Sequence, residues 1–286
     1  PPHNSDRAAD SVTGVCLTTP EPARRASSTD SMEIVPSGDV GMPARGSLLR
    51  EVRPIGHTVT VVRAALIGNH DDMDPGLVGH ELRLRGVSFV ELHREDHQSW
   101  SGPGVPDGID LVLSLGSSWS AYWPEVEEAA RAEQHYLAAA HRAGVPVLGI
   151  CFGAQQLSLA LGGRVERSQT HEIGWHEVTP VQEAVASPGV DPVPVGGRWF
   201  QWHYDRFSVP AGATALADSP VSPQAFVTGR SLGLQFHPEV TETIATNWSR
   251  GDGERELRDA GIDRDSLLEE TRRMQHDVRP RTAALV

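Results

Sequence analysis

From Thr58 onward, short apolar runs alternate with stretches that open and close on helix-capping residues. Val59 to Ile67 is apolar and rich in β-branched side chains, which predicts a first strand. Asp74-Pro75 supplies an N-cap and a first-turn proline, so Leu77 to Arg85 reads as a helix stopped by Gly86. Val87 to Leu92 predicts a second strand. Ile109 to Leu115 predicts a third, apolar throughout as a strand covered on both faces should be. Pro124 opens a helix with Glu125, Glu127 and Glu128 in its first turns and His141 and Arg142 in its last, where they complement the helix dipole. Gly144 ends it, and Val145 to Ile150 is a fourth buried strand running into Cys151.

Alternation of this kind predicts a parallel sheet with helices on both faces, whose chemistry lies beyond the carboxyl ends of the strands. The second half has a different rhythm. Trp175 to Val178, Trp199 to Phe207, Gln224 to Val227 and Leu232 to Phe236 are short segments with turns such as Pro210-Ala211-Gly212 between them, read as antiparallel extensions of the sheet. Beyond about residue 250 the chain reads as helical, with Leu257, Leu267 and Leu268 as packing candidates. Residues 1–56 are rich in Pro, Ser, Ala and Arg without sustained periodicity, and are expected to be a mostly disordered leader.

Composition narrows the chemistry. Of 286 residues, 25 are Lys or Arg and 38 are Asp or Glu, a formal charge of −13 that argues against a nucleic-acid partner bound by neutralising its phosphates. The basic residues include no lysine, which excludes a Schiff base and a phosphate-loop lysine. No apolar run has the roughly 18–20 residues that a membrane span needs, and Pro1-Pro2-His3-Asn4 opens no signal peptide. The two cysteines, Cys16 in a polar stretch and Cys151 at a strand end, are not expected to pair, which suits a reducing, cytoplasmic compartment.

The first motif with chemical content is Gly149-Ile150-Cys151-Phe152-Gly153, between a buried strand and a short apolar helix from Ala154 to Leu161. A nucleophile on so sharp a turn needs small residues two positions to either side. The helix N-terminus favours thiolate over thiol, and the Phe152 amide is placed to hold an oxyanion. The competing reading is a small buried residue filling space. A thiol nucleophile also needs a proton shuttle. Gln235-Phe236-His237-Pro238-Glu239 offers one: His237 ends an apolar strand, and Glu239, two residues on, lies on the same side of an extended chain and can fix its tautomer.

Gly149-Ile150-Cys151-Phe152-Gly153-Ala154-Gln155-Gln156-Leu157 followed by Phe236-His237-Pro238-Glu239 resembles the class I (triad) glutamine amidotransferases, most of all the amidotransferase domain of GMP synthase and its free-standing relatives. The resemblance covers residues 58 to 248. It implies a flavodoxin-like α/β fold: a central, mostly parallel sheet flanked by helices, with an antiparallel extension over 57–249 and a helical C-terminal extension over 250–286. It also implies an activity without metal or cofactor. Cys151 attacks the glutamine side-chain amide, ammonia leaves, and water hydrolyses the thioester, with His237 moving protons and Glu239 orienting it. Gln155 matches the family glutamine that contacts substrate. Glu172 and Gly174 match a segment lining the glutamine pocket, and His203 and Tyr204 one that holds the amino-acid end. Where the family has Gly-Gly-Pro, this chain has Gly116-Ser117-Ser118. A Cβ at Ser117 restricts backbone twist where the second oxyanion amide sits, a matter of rate more than of reaction type.

Two further readings keep the fold. A stand-alone γ-glutamyl hydrolase uses the same Cys-His-Glu set on larger γ-glutamyl amides, whereas an amidotransferase hands ammonia to a separate synthetase chain. A non-catalytic regulatory module is supported only by Ser117. A zinc hydrolase built on His171, His176, His203 or His237 fails on ligand spacing. Asn69-His70-Asp71-Asp72, at the end of the first strand, either lines the site or, the reading preferred, is a polar loop leading into the Asp74 cap.

Overall fold

The computed structural model describes residues 62–100, 104–181 and 193–286. The expected leader and residues 59–61 of the first predicted strand lie outside these. Among the described residues one nine-stranded sheet runs in the order β2-β1-β3-β4-β9-β8-β7-β5-β6. Its strands are β1 (Val62–Gly68), β2 (Val87–His93), β3 (Leu111–Ser114), β4 (Val147–Ile150), β5 (Val165–Pro180), β6 (Gly197–Phe207), β7 (Thr214–Asp218), β8 (Pro223–Thr228) and β9 (Ser231–Leu234). The five strands from β2 to β9 are mutually parallel, and β8, β7, β5 and β6 continue the sheet antiparallel. The flavodoxin-like order with an antiparallel extension is therefore present.

Strand periodicity explains why both faces are covered. In β1, Ala65 and Ile67 face one layer with Leu137 and Leu157, while Ala64 and Leu66 face another with Val78 and Leu82. The first layer holds α2 (Glu127–Arg142) and α3 (Phe152–Ala160), and the second holds α1 (Gly76–Leu84). The predicted caps mark these helices within a residue or two. The Gly76 amide donates to Asp74 Oδ1 at 2.9 Å, and Pro124–Val126 forms a 3₁₀ turn before α2 begins.

Two expectations change. The segment Leu232 to Phe236 meets β8 antiparallel, as expected, but on its other side it joins the parallel strands. Only Ser231–Leu234 is strand, and it pairs parallel with β4, placing Leu234 opposite Ile150. The two-residue turn at Gly229-Arg230 folds it back on β8 and delivers it to the sheet's centre, where its apolar run is buried. The segment seen as Trp175 to Val178 belongs to the 16-residue β5, whose first half is polar and mostly exposed, with a register shift between Arg167 and Glu172. β7 gave no clear sequence signal.

The C-terminal helices α4 (Glu242–Trp248), α5 (Asp252–Asp259) and α6 (Arg264–Leu285) bury Ile244, Leu257, Leu267 and Val278 in a core with Trp175, Trp199, Phe200 and Phe236. Leu268 packs against this core half-buried. Buried hydroxyls tie α6 down: Thr271 accepts from Trp175 Nε1 at 3.0 Å, and Thr282 donates to the Pro238 carbonyl at 2.9 Å.

The turn between β4 and α3 is tightly packed. A Cβ on Gly149 would come within 2.6 Å of the Gly153 carbonyl oxygen, and one on Gly153 within 2.2 Å of the Ser114 carbonyl oxygen. Both obstacles are backbone, so relief requires shifting the sheet or the helix. Gly153→Ala should cost roughly 1–3 kcal/mol, read as a lower urea midpoint at unchanged m-value. A midpoint equal to wild type would show that α3 can slide away from β3.

Candidate active site

Cys151 links β4 to α3 at φ 49° and ψ −108°, and is the one non-glycine residue at positive φ among the described residues. Sparsely populated backbone of this kind persists only where its surroundings over-determine it. Here the restraints are the two crowded glycines and a hydrogen bond from the Cys151 amide to the Leu234 carbonyl at 2.7 Å. The residue is 4% exposed, with Sγ 3.6 Å from Gln235 Nε2 and 4.0 Å from the Trp202 carbonyl oxygen. Phe152 opens α3, so its amide is an unshared N-terminal donor beside the sulfur.

His237 follows β9 by three residues. Its amide donates to the Phe200 carbonyl at 2.8 Å, and Nδ1 donates to Glu239 Oε1 at 2.7 Å. Nε2 has no hydrogen-bond partner among the described residues, and the ring shares the cavity lining with Cys151. The Glu239 carbonyl accepts from the Leu77 amide at 2.9 Å, which fixes this segment to α1. Trp248 lies edge-on to the imidazole, ring centres 4.7 Å apart, and donates Nε1–H to Asp72 at 3.0 Å. Burial pushes Asp72 up to about 6, aided by the Glu239 charge and opposed by the Trp248 hydrogen bond.

Burial alone would favour neutral imidazole at His237. The Glu239 carboxylate and the Cys151 sulfur outweigh it and raise the ring from 6.5 to about 10. The arrangement therefore favours the protonated imidazole at neutral pH. Because the folded value is raised, the stabilisation is complete below the ordinary histidine range and is lost as pH rises through about 10.

These groups open onto a cavity of about 830 Å³. Its walls come from the loops after β1 (Asn69, Asp72), after β3 (Ser117, Trp119) and after β4 and β9 (Cys151, His237), with Trp202, Tyr204 and Asp205 of β6 opposite. It thus lies outside the carboxyl ends of the strands, next to the β1/β3 reversal of strand order where such sheets collect ligands.

Residues 85–248 match the sequence profile of the family described as Glutamine amidotransferase class-I. The GMP synthase [glutamine-hydrolyzing] of Aeropyrum pernix is 36% identical over 182 residues, covering 60% of this chain and 33% of that protein. That of Nitrosomonas eutropha is 40% identical over 113 residues, 35% of this chain and 21% of that one. A glutamine amidotransferase crystal structure from Thermotoga maritima superposes with a TM-score of 0.67 at 29% identity, covering 79% of this chain and 96% of that one.

The chain belongs to the class-I glutamine amidotransferases.

It spans about a fifth to a third of the length of these curated relatives. In this amidotransferase the sequence-identified residues separate into two groups. Cys151, Phe152, Gln155, Ser117, His203, Tyr204 and His237 line the cavity; Gly116, Glu172, Gly174 and Glu239 stand behind it. Gly116 lies against the imidazole and the cysteine, since a Cβ there would be 3.0 Å from His237 Cε1 and 3.7 Å from Cys151 Cβ. Gly174, at φ 101°, packs under Leu267 of α6. Glu172 is buried, with Oε2 3.1 Å from His203 Nε2 and accepting from Gln224 and Ser219. Burial opposes its charge, yet the His203 hydrogen bond and charge hold its carboxyl below the usual range. His203 Nδ1 donates to the Asp205 carbonyl at 3.0 Å, while the Asp205 carboxylate accepts from Ser120 at 2.6 Å and Tyr122 at 2.8 Å. The Glu172–His203–Asp205 array thus braces β5, β6 and the loop after β3. Ser117 is not at positive φ, so its Cβ carries no left-handed penalty.

Of the two sequence readings of Asn69-His70-Asp71-Asp72, the less favoured one holds for Asn69, Asp71 and Asp72, which line the cavity at the carboxyl end of β1. Nothing in the sequence flagged Trp248.

Glu239→Gln removes the largest influence that raises His237. The ring's titration midpoint, followed by histidine-selective NMR, should move to lower pH than in wild type. An unchanged midpoint would show that the 2.7 Å contact does not set the charge of the imidazole.

Proposed function

We propose that the protein hydrolyses the side-chain amide of glutamine through a thioester on Cys151. The thiolate adds to the carboxamide carbon. The tetrahedral oxyanion is held by the Phe152 amide and the Ser117 amide, as preorganised donors stabilise developing charge. The protonated His237 Nε2 gives its proton to the departing nitrogen, the C–N bond breaks, and ammonia leaves. Water then adds to the thioester carbon, His237 takes its proton, and the C–S bond breaks to give glutamate and restore the thiolate–imidazolium pair. Glu239 holds the imidazole in the tautomer that both proton transfers need. Gln155, Tyr204 and His203 face the substrate along α3 and β6.

The observation that carries this reading is the strained Cys151 and His237 lining one cavity beyond neighbouring strand ends, with Glu239 2.7 Å behind the ring. The kinship with glutamine-hydrolysing GMP synthases supports glutamine as substrate and a separate synthetase chain as ammonia acceptor. A reducing, cytoplasmic setting suits a free catalytic thiol.

One observation favours a second reading. A cavity of about 830 Å³ is on the scale of sites that hold drug-sized ligands, leaving space beyond a glutamine carboxamide. A stand-alone γ-glutamyl hydrolase would use that space for the group attached to the amide nitrogen.

Cys151→Ala should abolish ammonia release from glutamine while leaving the circular dichroism spectrum unchanged, and an electrophilic glutamine analogue should label wild type at Cys151 alone. Ammonia release persisting in the variant would overturn the thioester route. Comparing kcat/KM for glutamine with that for N-substituted γ-glutamyl amides separates the two substrate readings, because the hydrolase prefers the substituted compounds.

A further inference from the structure

Arg94 is 0% exposed and lies far from the nucleophile in sequence, yet it builds the wall behind it. It begins the 3₁₀ turn Arg94–Ser99 after β2. Its Nε and Nη2 donate to the two oxygens of the equally buried Glu133, at 2.7 and 3.1 Å. Nη1 donates to Asn69 Oδ1 and to the Gly116 carbonyl, both at 2.9 Å. Nη2 also reaches the Leu115 carbonyl at 2.8 Å and Ser114 Oγ at 3.3 Å. The guanidinium lies over the Phe152 ring, 4.8 Å from its centre, and Ser114 donates to Glu133 Oε1 at 2.5 Å.

Stability alone explains such an array poorly, because a buried ion pair can often be replaced by apolar residues of similar volume without loss. What apolar residues cannot do is hold two successive carbonyls. In a trans peptide the C=O of one residue and the N–H of the next point in opposite directions. Drawing the Gly116 carbonyl toward Arg94 therefore turns the Ser117 N–H the other way, onto the side where Ser117 lines the cavity. The preceding peptide is fixed too, since the Leu115 carbonyl accepts from both Arg94 and the Gly153 amide, the latter at 3.1 Å. The Ser117 N–H donates to no acceptor among the described residues, so it is free for a ligand atom. We propose that Arg94, framed by Glu133 and Ser114, is a positioning residue that aims the Ser117 amide as the second oxyanion donor. This rests on the hydrolytic reading above. It also accounts for a serine where the family has glycine, because the peptide is oriented from behind rather than by backbone freedom at residue 117.

The test uses the full-length chain and three readouts: kcat and KM for glutamine hydrolysis, and the rate at which iodoacetamide alkylates Cys151, which needs a thiolate but no oxyanion hole. The double variant Arg94→Met with Glu133→Gln leaves no unpaired buried charge. It should lower kcat by about 10²–10³-fold, the usual effect of losing one oxyanion donor, with KM and alkylation rate little changed. Ser117→Pro, which deletes the amide proton without touching the buried array, should reproduce the kcat loss and decides the matter if the double variant fails to fold. Either folded variant keeping wild-type kcat, or kcat and alkylation falling in step, overturns the proposal. Wild type that hydrolyses neither glutamine (to ammonia) nor N-substituted γ-glutamyl amides (to the amine) overturns the hydrolytic reading instead.

Discussion

The site depends on one pairing between strands, that of β4 with β9. Four residue pairs in parallel register place Ile150 beside Leu234, and the next amide, that of Cys151, closes the ladder on the Leu234 carbonyl at 2.7 Å. Two segments more than eighty residues apart thereby leave the sheet at one edge and in one direction. A slip of one residue would turn every side chain of β9 to the opposite face. The apolar residues on both faces of these strands oppose that slip, so the hydrophobic core sets the approach of sulfur to imidazole.

Around that pairing the protein places its charges in two kinds of surroundings. Glu239 and the imidazole form a buried pair whose proton inventory changes during a reaction. Glu172 with His203, and Arg94 with Glu133, are also buried, but their hydrogen bonds end on backbone carbonyls or on the loops carrying donor amides. An uncompensated charge in these places would be costly; satisfied, each array specifies one loop conformation. Flexible loops after parallel strands are thus held as firmly as the sheet.

Apart from β9, the parallel half of the fold was legible because each of its elements announces itself locally. Apolar runs of strand length, the Asp74-Pro75 cap, the acidic and basic ends of α2, and paired glycines about Cys151 are signals within a few residues of one another. The antiparallel half was less so. β5 carries Glu166, Arg167, Gln169 and His171, exposed residues that fall on both faces of its first half, and no short window separates such a strand from a loop. Cys151, His237 and Glu239 could be named from motif chemistry. Arg94 could not, since a basic residue between His93 and Glu95 looks like any solvated turn until β3 and α2 close over it. Asp72 and Trp248, 176 residues apart, meet only through tertiary packing.

The hydroxyl of Thr282 on the Pro238 carbonyl has a practical bearing. That carbonyl belongs to the peptide between the imidazole and its carboxylate partner, and Arg281 beside it covers the Trp199 ring that stacks on Phe236. The match to the family profile ends at residue 248, yet the clamp on the second motif is supplied more than thirty positions later. A minimal fragment trimmed to the family boundary would keep the reacting atoms and lose the buttress that fixes their spacing, so excision is the wrong route to an isolated working module.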